Sequence, residues 1–182
     1  MVDQEAVTGG QYLSFTLREE SFAVAIEKVR EVLDVTTLTR IPRMPQYLSG
    51  VINLRSNVVP VVDLGVVLGM AAIEKTVNTC IMIVDIKVPG EEENVQMGVL
   101  TDSVQAVLEL GAEDIEPVPR MGTNLNTDFI RGMGRQDEKF LILLDINQVL
   151  ASEGRAVLRE KDGAALTAAA AQAAELSTGG QT

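Results

Sequence analysis

The chain has 182 residues, 46% hydrophobic and only 3% aromatic, with 26 acidic against 15 basic side chains and a net charge of −11. That composition suits one compact domain or two small ones, and excludes a disordered tail or a membrane protein. There is no histidine, no tryptophan and a lone Cys80. This removes Ser-His-Asp and Cys-His catalysis, imidazole metal sites and intrachain disulfides, and leaves no basic patch for nucleic acid.

Along the chain, the acidic stretch Met1-Val2-Asp3-Gln4-Glu5 leads into no apolar segment, so no secretory signal is expected. No run reaches the roughly 18 apolar residues of a membrane span, so no membrane insertion is expected. A single thiol within an apolar run fits a reducing, cytoplasmic setting. Leu13, Phe15 and Leu17 alternate with polar residues, and Phe22, Val24 and Ile26 do so again after a polar turn, which predicts a hairpin. Val29, Val32 and Leu33 then fall at helix-like spacing, leaving Arg30 and Glu31 as rim charges. Further strands are predicted at residues 51–54, 58–62, 79–86, 95–100, 104–110 and 140–144. Pro60 marks its strand as an edge or a bulge, because proline cannot donate to a ladder. The acidic segment at 89–94 reads as a hairpin tip, and Gly132-Met133-Gly134 as a turn. Methionines 44, 70, 97, 121 and 133 could offer adaptable contact surface if exposed.

Composition shifts near residue 151: 22 of 23 valines precede it, and ten of 17 alanines follow it. We therefore divide the chain into an ordered part at 11–150 and an Ala-rich tail at 151–182, helical in propensity but frayed when undocked. Within the ordered part the two halves match. Residues 58–68 match 140–150, and 47–50 match 129–132, both at a shift of 82. Residues 29–33 match 104–108 at a shift of 75, and 40–44 match 117–121 at 77. The ordered succession of matches predicts two related subdomains, the second repeat spanning about 79–150, with the chain interleaving between them. Many short strands and thin cores predict an all-β protein of two small five-stranded barrels packed together, with short helices.

Asp63 and Asp145 stand at equivalent ends of apolar strands. Two such acids could serve a carboxylate-dependent hydrolase, but an N-cap on the short helix that follows each strand explains both. Asn53 and Arg55 flank another apolar strand. They either turn a corner or present a guanidinium fork to a partner carboxylate, and composition does not choose.

The run from Pro42 through Gly50-Val51-Ile52-Asn53-Leu54-Arg55, continuing to Asp63-Leu64, resembles the signature of the CheW family of bacterial chemotaxis coupling proteins. The likeness extends from about Gln11 to Leu150 and takes in Val29-x-Glu31-Val32, Asp102-x-Val104 and Leu143-Leu144-Asp145-Ile146. It departs at Ser56, where the family usually has glycine. The resemblance implies two packed Src-homology-3-like barrels and a non-enzymatic adaptor without cofactor or metal. Its implied partners are the regulatory domain of the histidine kinase CheA and the cytoplasmic tip of chemoreceptors. The adaptor would be a monomer in isolation that assembles in receptor arrays. By position, Val29, Glu31 and Arg55 match the family's interaction region on the first subdomain, and Cys80 and Val107 match surface positions toward the second. With Gly50 and Asn53 of the signature they form the candidate kinase- and receptor-binding set. Asp102 also aligns.

Overall fold

Valine-rich runs become strands because β-branched side chains pack well on a pleated surface, and here most of those surfaces are buried on both faces. The structure, a computed structural model, describes residues 9–35, 38–88, 90–118 and 129–163. Its strands are β1 (Gly10–Leu17), β2 (Glu20–Ala25), β3 (Val29–Asp34), β4 (Leu48–Leu54), β5 (Asn57–Asp63), β6 (Cys80–Lys87), β7 (Asn94–Thr101), β8 (Ser103–Leu110), β9 (Ile115–Glu116), β10 (Ile130–Gln136) and β11 (Lys139–Leu144). The helices are α1 (Leu64–Val67), α2 (Ile146–Val149) and α3 (Ala151–Gly163).

Two sheets result, one ordered β8-β1-β2-β11-β10-β9 and the other β3-β6-β7-β5-β4. The hairpins are exchanged between the halves: β1 and β2 lie among second-half strands, while β6 and β7 lie among first-half strands. Parallel contacts bind each hairpin into its sheet, β5 to β7 at Val61↔Gly98 and β11 to β2 at Leu143↔Ala23. The predicted barrels are realised as two curled sheets whose ladders do not close. Between β8 and β9, Gly111 and a 3-10 turn at Ala112–Asp114 interrupt the pairing, and the short β9 brings that sheet to six strands. In the other sheet the matching contact is a single bridge, Thr39↔Val51.

Three apolar clusters follow from strand alternation. On one face of β6, Ile81 and Ile83 pack with Ile52, Val59, Val61 and Leu100 inside the five-stranded sheet. On the other face, Met82, Val84 and Ile86 join Phe15, Leu17, Phe22 and Val24 in a core shared by both sheets. The rings of Phe15 and Phe22 stack there with centroids 5.8 Å apart. Tyr12, Ala23, Leu110, Leu141 and Leu143 fill the six-stranded sheet. A shared core solves the burial problem that two units of this size would each face alone.

Several sequence expectations need correction. Residues 29–33 are not helical: Val29, Glu31 and Leu33 are half-buried while Arg30, Val32 and Asp34 are exposed, the period of a strand. Register with β6, from Val29↔Val84 to Asp34↔Cys80, overrides the ambiguous spacing. Strand β5 is interior rather than an edge, since Pro60 lies one residue before the ladder to β7 begins at Val61. Gly132-Met133-Gly134 is not a turn but the middle of β10. A Cβ on Gly132 would lie 3.0 Å from the Glu116 backbone carbonyl oxygen, so close strand approach favours glycine there, while one on Gly134 would lie 2.9 Å from Leu110 Cδ1, a side-chain end that can shift. The compositional break at 151 is not a structural one, because α3 runs on from α2 and buries Gly154 and Val157. Residues 164–182, Pro89 and Met121 lie outside the described residues. Met97 is fully buried, and Met44, Met70 and Met133 are half-buried, so these methionines serve mainly as packing.

Asp63 and Asp145 act as caps. The Asp63 carboxylate accepts the Val66 N–H at 3.2 Å and the Ile73 N–H at 2.9 Å, tying both α1 and the following loop to β5. Asp145 accepts the Gln148 N–H at 3.3 Å. Asp63→Ala should therefore lower stability by about 2 kcal/mol and Asp145→Ala by about 1 kcal/mol, as measured by urea denaturation. Equal losses would contradict the extra bond and deeper burial assigned to Asp63.

Candidate functional site

Strand β3 and the β4–β5 turn bring the candidate residues together on the five-stranded sheet. Leu54↔Asn57 closes a two-residue turn in which Arg55 and Ser56 have φ of +50° and +73°. Both central residues are left-handed, the turn geometry that matches strand twist and prefers Asn-Gly or Gly-Gly. The chain adopts it with arginine and serine, so the departure at Ser56 is carried as local strain. Ser56→Gly should raise stability by about 0.5–1 kcal/mol by removing that strain. A chemical denaturation curve with an unchanged or lower midpoint would contradict this.

From this turn the Arg55 guanidinium reaches Glu31 Oε1 at 3.6 Å, with the arginine side chain 81% exposed. So loose and wet a pair contributes little to folding and leaves most of the guanidinium's donors available. Beside it, Asn53 is exposed and pairs across the ladder with Val58, itself 39% exposed. Val29 is half-buried at the start of β3, where it packs against the shared core.

The remaining candidates stand apart. Cys80 is half-buried at the start of β6, opposite Asp34, and its Sγ–H donates to the Asn78 carbonyl at 3.3 Å. Val107 is on the other sheet, in edge strand β8, and is 52% exposed. Gly50 is buried and offers no side chain: with φ at +153°, a Cβ there would lie 2.2 Å from the Thr39 carbonyl oxygen. Its place is beneath the site, where it lets β4 approach Thr39 for the paired Thr39–Val51 backbone bonds, each 2.8 Å. Asp102 likewise supports the fold, its carboxylate accepting the Arg18 N–H at 2.6 Å in the left-handed turn between β1 and β2.

Apart from Val77, the large exposed apolar residues among those described occur as equivalent pairs, an exposure the sequence reading missed. Val32 on β3 corresponds to Val107 on β8 at the 75-residue shift, and Val58 on β5 corresponds to Phe140 on β11 at the 82-residue shift. Applying the duplication to Val107 would have found Val32. On the six-stranded sheet, the Arg135 guanidinium sits 5.7 Å from the Phe140 ring centroid and donates to Glu116 at 2.6 Å. Asp137 and Glu138 complete a shallow hollow of about 310 Å³ with Arg135 and Phe140. Each sheet thus presents charged side chains beside a solvent-exposed apolar one, the make-up of a contact surface. Among the described residues no group of three or more acidic or Cys side chains is placed to hold a metal. The two aspartates proposed for hydrolysis are spent on backbone N–H groups at the ends of strands in different sheets.

The model of the CheW-like domain matches residues 11–154. The chain is 35% identical over 150 residues to the chemotaxis protein CheW of Klebsiella aerogenes, covering 82% of this chain and 87% of that one. It is 33% identical over 147 residues to CheW of Rhizobium meliloti, covering 81% and 91%. In three dimensions it is similar to the crystal structure of the scaffolding protein TtCheW from Thermoanaerobacter tengcongensis, with a TM-score of 0.66, 29% identity, and coverage of 79% and 93%.

Proposed function

Because the chain belongs to the CheW family of chemotaxis coupling adaptors, we propose that it joins the regulatory domain of the histidine kinase CheA to the cytoplasmic tip of chemoreceptors, by contact and without catalysis. The carrying observation is the pair of half-buried Glu31 on β3 and exposed Arg55 on the β4–β5 turn, held by a buried Gly50 and flanked by Asn53 and Val58. A charged fork beside an apolar side chain supplies orientation and desolvated area together, which suits an interface better than a reaction. The second sheet supports a second contact. Val107 and Phe140 are exposed there, so one chain can engage two partners at once. A kinase domain of the same fold would meet one sheet, and an amphipathic receptor helix would lie against apolar side chains near β3, β6 and β8, where Val29, Cys80 and Val107 are found. Such a protein works in the cytoplasm, where kinase and receptor tip are both reachable.

Co-purification tests the reading directly. The full chain should retain a CheA regulatory domain and, in a separate experiment, a receptor tip fragment. Retention of neither, by a folded chain, would remove the function while leaving the fold.

A further inference from the structure

Helix α3 is held to the sheets by a narrow stripe, with Gly154 and Val157 buried and Leu158 half-buried against the shared core. Glycine permits the contact: a Cβ at 154 would lie 2.9 Å from Val88 Cγ2 and 3.6 Å from Ile86 Cγ2. Next to that contact, Glu153 Oε1 is shielded from solvent and takes no hydrogen bond. An ionised carboxylate with a buried, unpartnered oxygen is held in its charged form at a cost, whereas the neutral acid is not. The elements packed against α3 are β6, β7 and α2. Strand β6 carries Asp85, engaged by Arg30, and Lys87, exposed at the strand end. Strand β7 and α2 carry no charged side chain, and Asp145, the cap of α2, is turned onto the Gln148 N–H. On α3 itself Arg155 is the neighbouring charge among the described side chains.

We propose that α3 is a proton-sensitive latch over the turn end of the β6–β7 hairpin, gripping most tightly while the Glu153 carboxyl is neutral and loosening as it ionises. Burial pushes this carboxyl above the usual carboxylate range, with its own backbone N–H pulling the other way. A group whose docked value is raised binds its proton more tightly when docked. Docking is therefore strongest below the ordinary carboxylate value and weakens as pH rises from there through the raised one. Release would uncover Val88, Ile86 and Met97 at one end of the shared core.

Amide hydrogen exchange on the full chain, corrected for intrinsic rates, tests this between about pH 4 and 8, where one proton permits at most a tenfold change per pH unit. Protection of the amides of residues 155–158 should fall as pH rises. Glu153→Gln should abolish that slope and leave the helix more protected at neutral pH. Gly154→Ala should lower protection at every pH while keeping the slope, which establishes that the measurement reports docking. A wild-type chain without pH dependence, or a glutamine variant that keeps it, would overturn the latch.

Discussion

Arg55→Glu should weaken binding to the kinase regulatory domain or the receptor tip by about 1–3 kcal/mol, roughly 5- to 150-fold in Kd, with little change in thermal unfolding. The asymmetry between binding and folding follows from exposure. In the free chain the guanidinium is 81% exposed and 3.6 Å from Glu31, so losing the pair costs folding no more than a few tenths of a kcal/mol. At the proposed contact the same group would lose its water, and reversing its sign would put a carboxylate beside Glu31 where the partner would meet a cation. Arg55→Lys separates the two effects: it keeps the charge but loses the planar fork, so an intermediate loss points to bidentate recognition. Titrations in which Arg55→Glu binds both partners with wild-type affinity would remove Arg55 from the interface.

Gly50→Ala should destabilise the chain by about 3 kcal/mol or more, enough to threaten a domain of ordinary stability. Two causes add at this position. The backbone has φ at +153°, which L side chains rarely adopt, and the new Cβ would meet the Thr39 carbonyl oxygen at 2.2 Å. That oxygen belongs to backbone rather than to a yielding side chain, so relief would have to break the Thr39–Val51 bonds. The equivalent Gly132 makes the control: its Cβ would stand 3.0 Å from the Glu116 carbonyl oxygen, and it lacks the special φ. Gly132→Ala should cost about 1 kcal/mol. Denaturant midpoints ranking the two variants in the opposite order would show that strand approach, and not the left-handed backbone, decides.

The caps were legible because their features are physically stringent: an apolar strand, an aspartate cap and a short helix recur with the same offset between Asp63 and Asp145. Interleaving of the chain was expected, but which strands pair across the halves was not specified. The β5–β7 and β11–β2 contacts are parallel pairings between segments far apart in sequence, and local patterns carry no partner identity. Residues 29–33 misled because polar Glu31 takes a half-buried position and apolar Val32 an exposed one, so the apolar set Val29, Val32 and Leu33 imitates a helical period on a strand. The docking of α3 was hidden because the shift from valine to alanine near residue 151 marked a compositional boundary, and propensity shows a helix but not that Gly154 lets it contact Val88. At the candidate site, the family motif located Glu31 and Arg55, and the structure adds that they form a pair. The motif also drew in Gly50, whose importance is to backbone approach and not to surface chemistry.

Interleaving the hairpins has a consequence for how the chain is made. Leu143 must meet Ala23, so strand β2 waits for nearly the whole domain to leave the ribosome before its parallel neighbour exists. Neither sheet can be completed by one half of the gene, and folding is bound to be late, long-range and slow for a molecule of this size. The same arrangement means that cutting the chain between α1 and β6 leaves two fragments, each holding a hairpin that the other needs. Expressed apart they should be sticky and unstructured; expressed together they should find each other and rebuild both sheets.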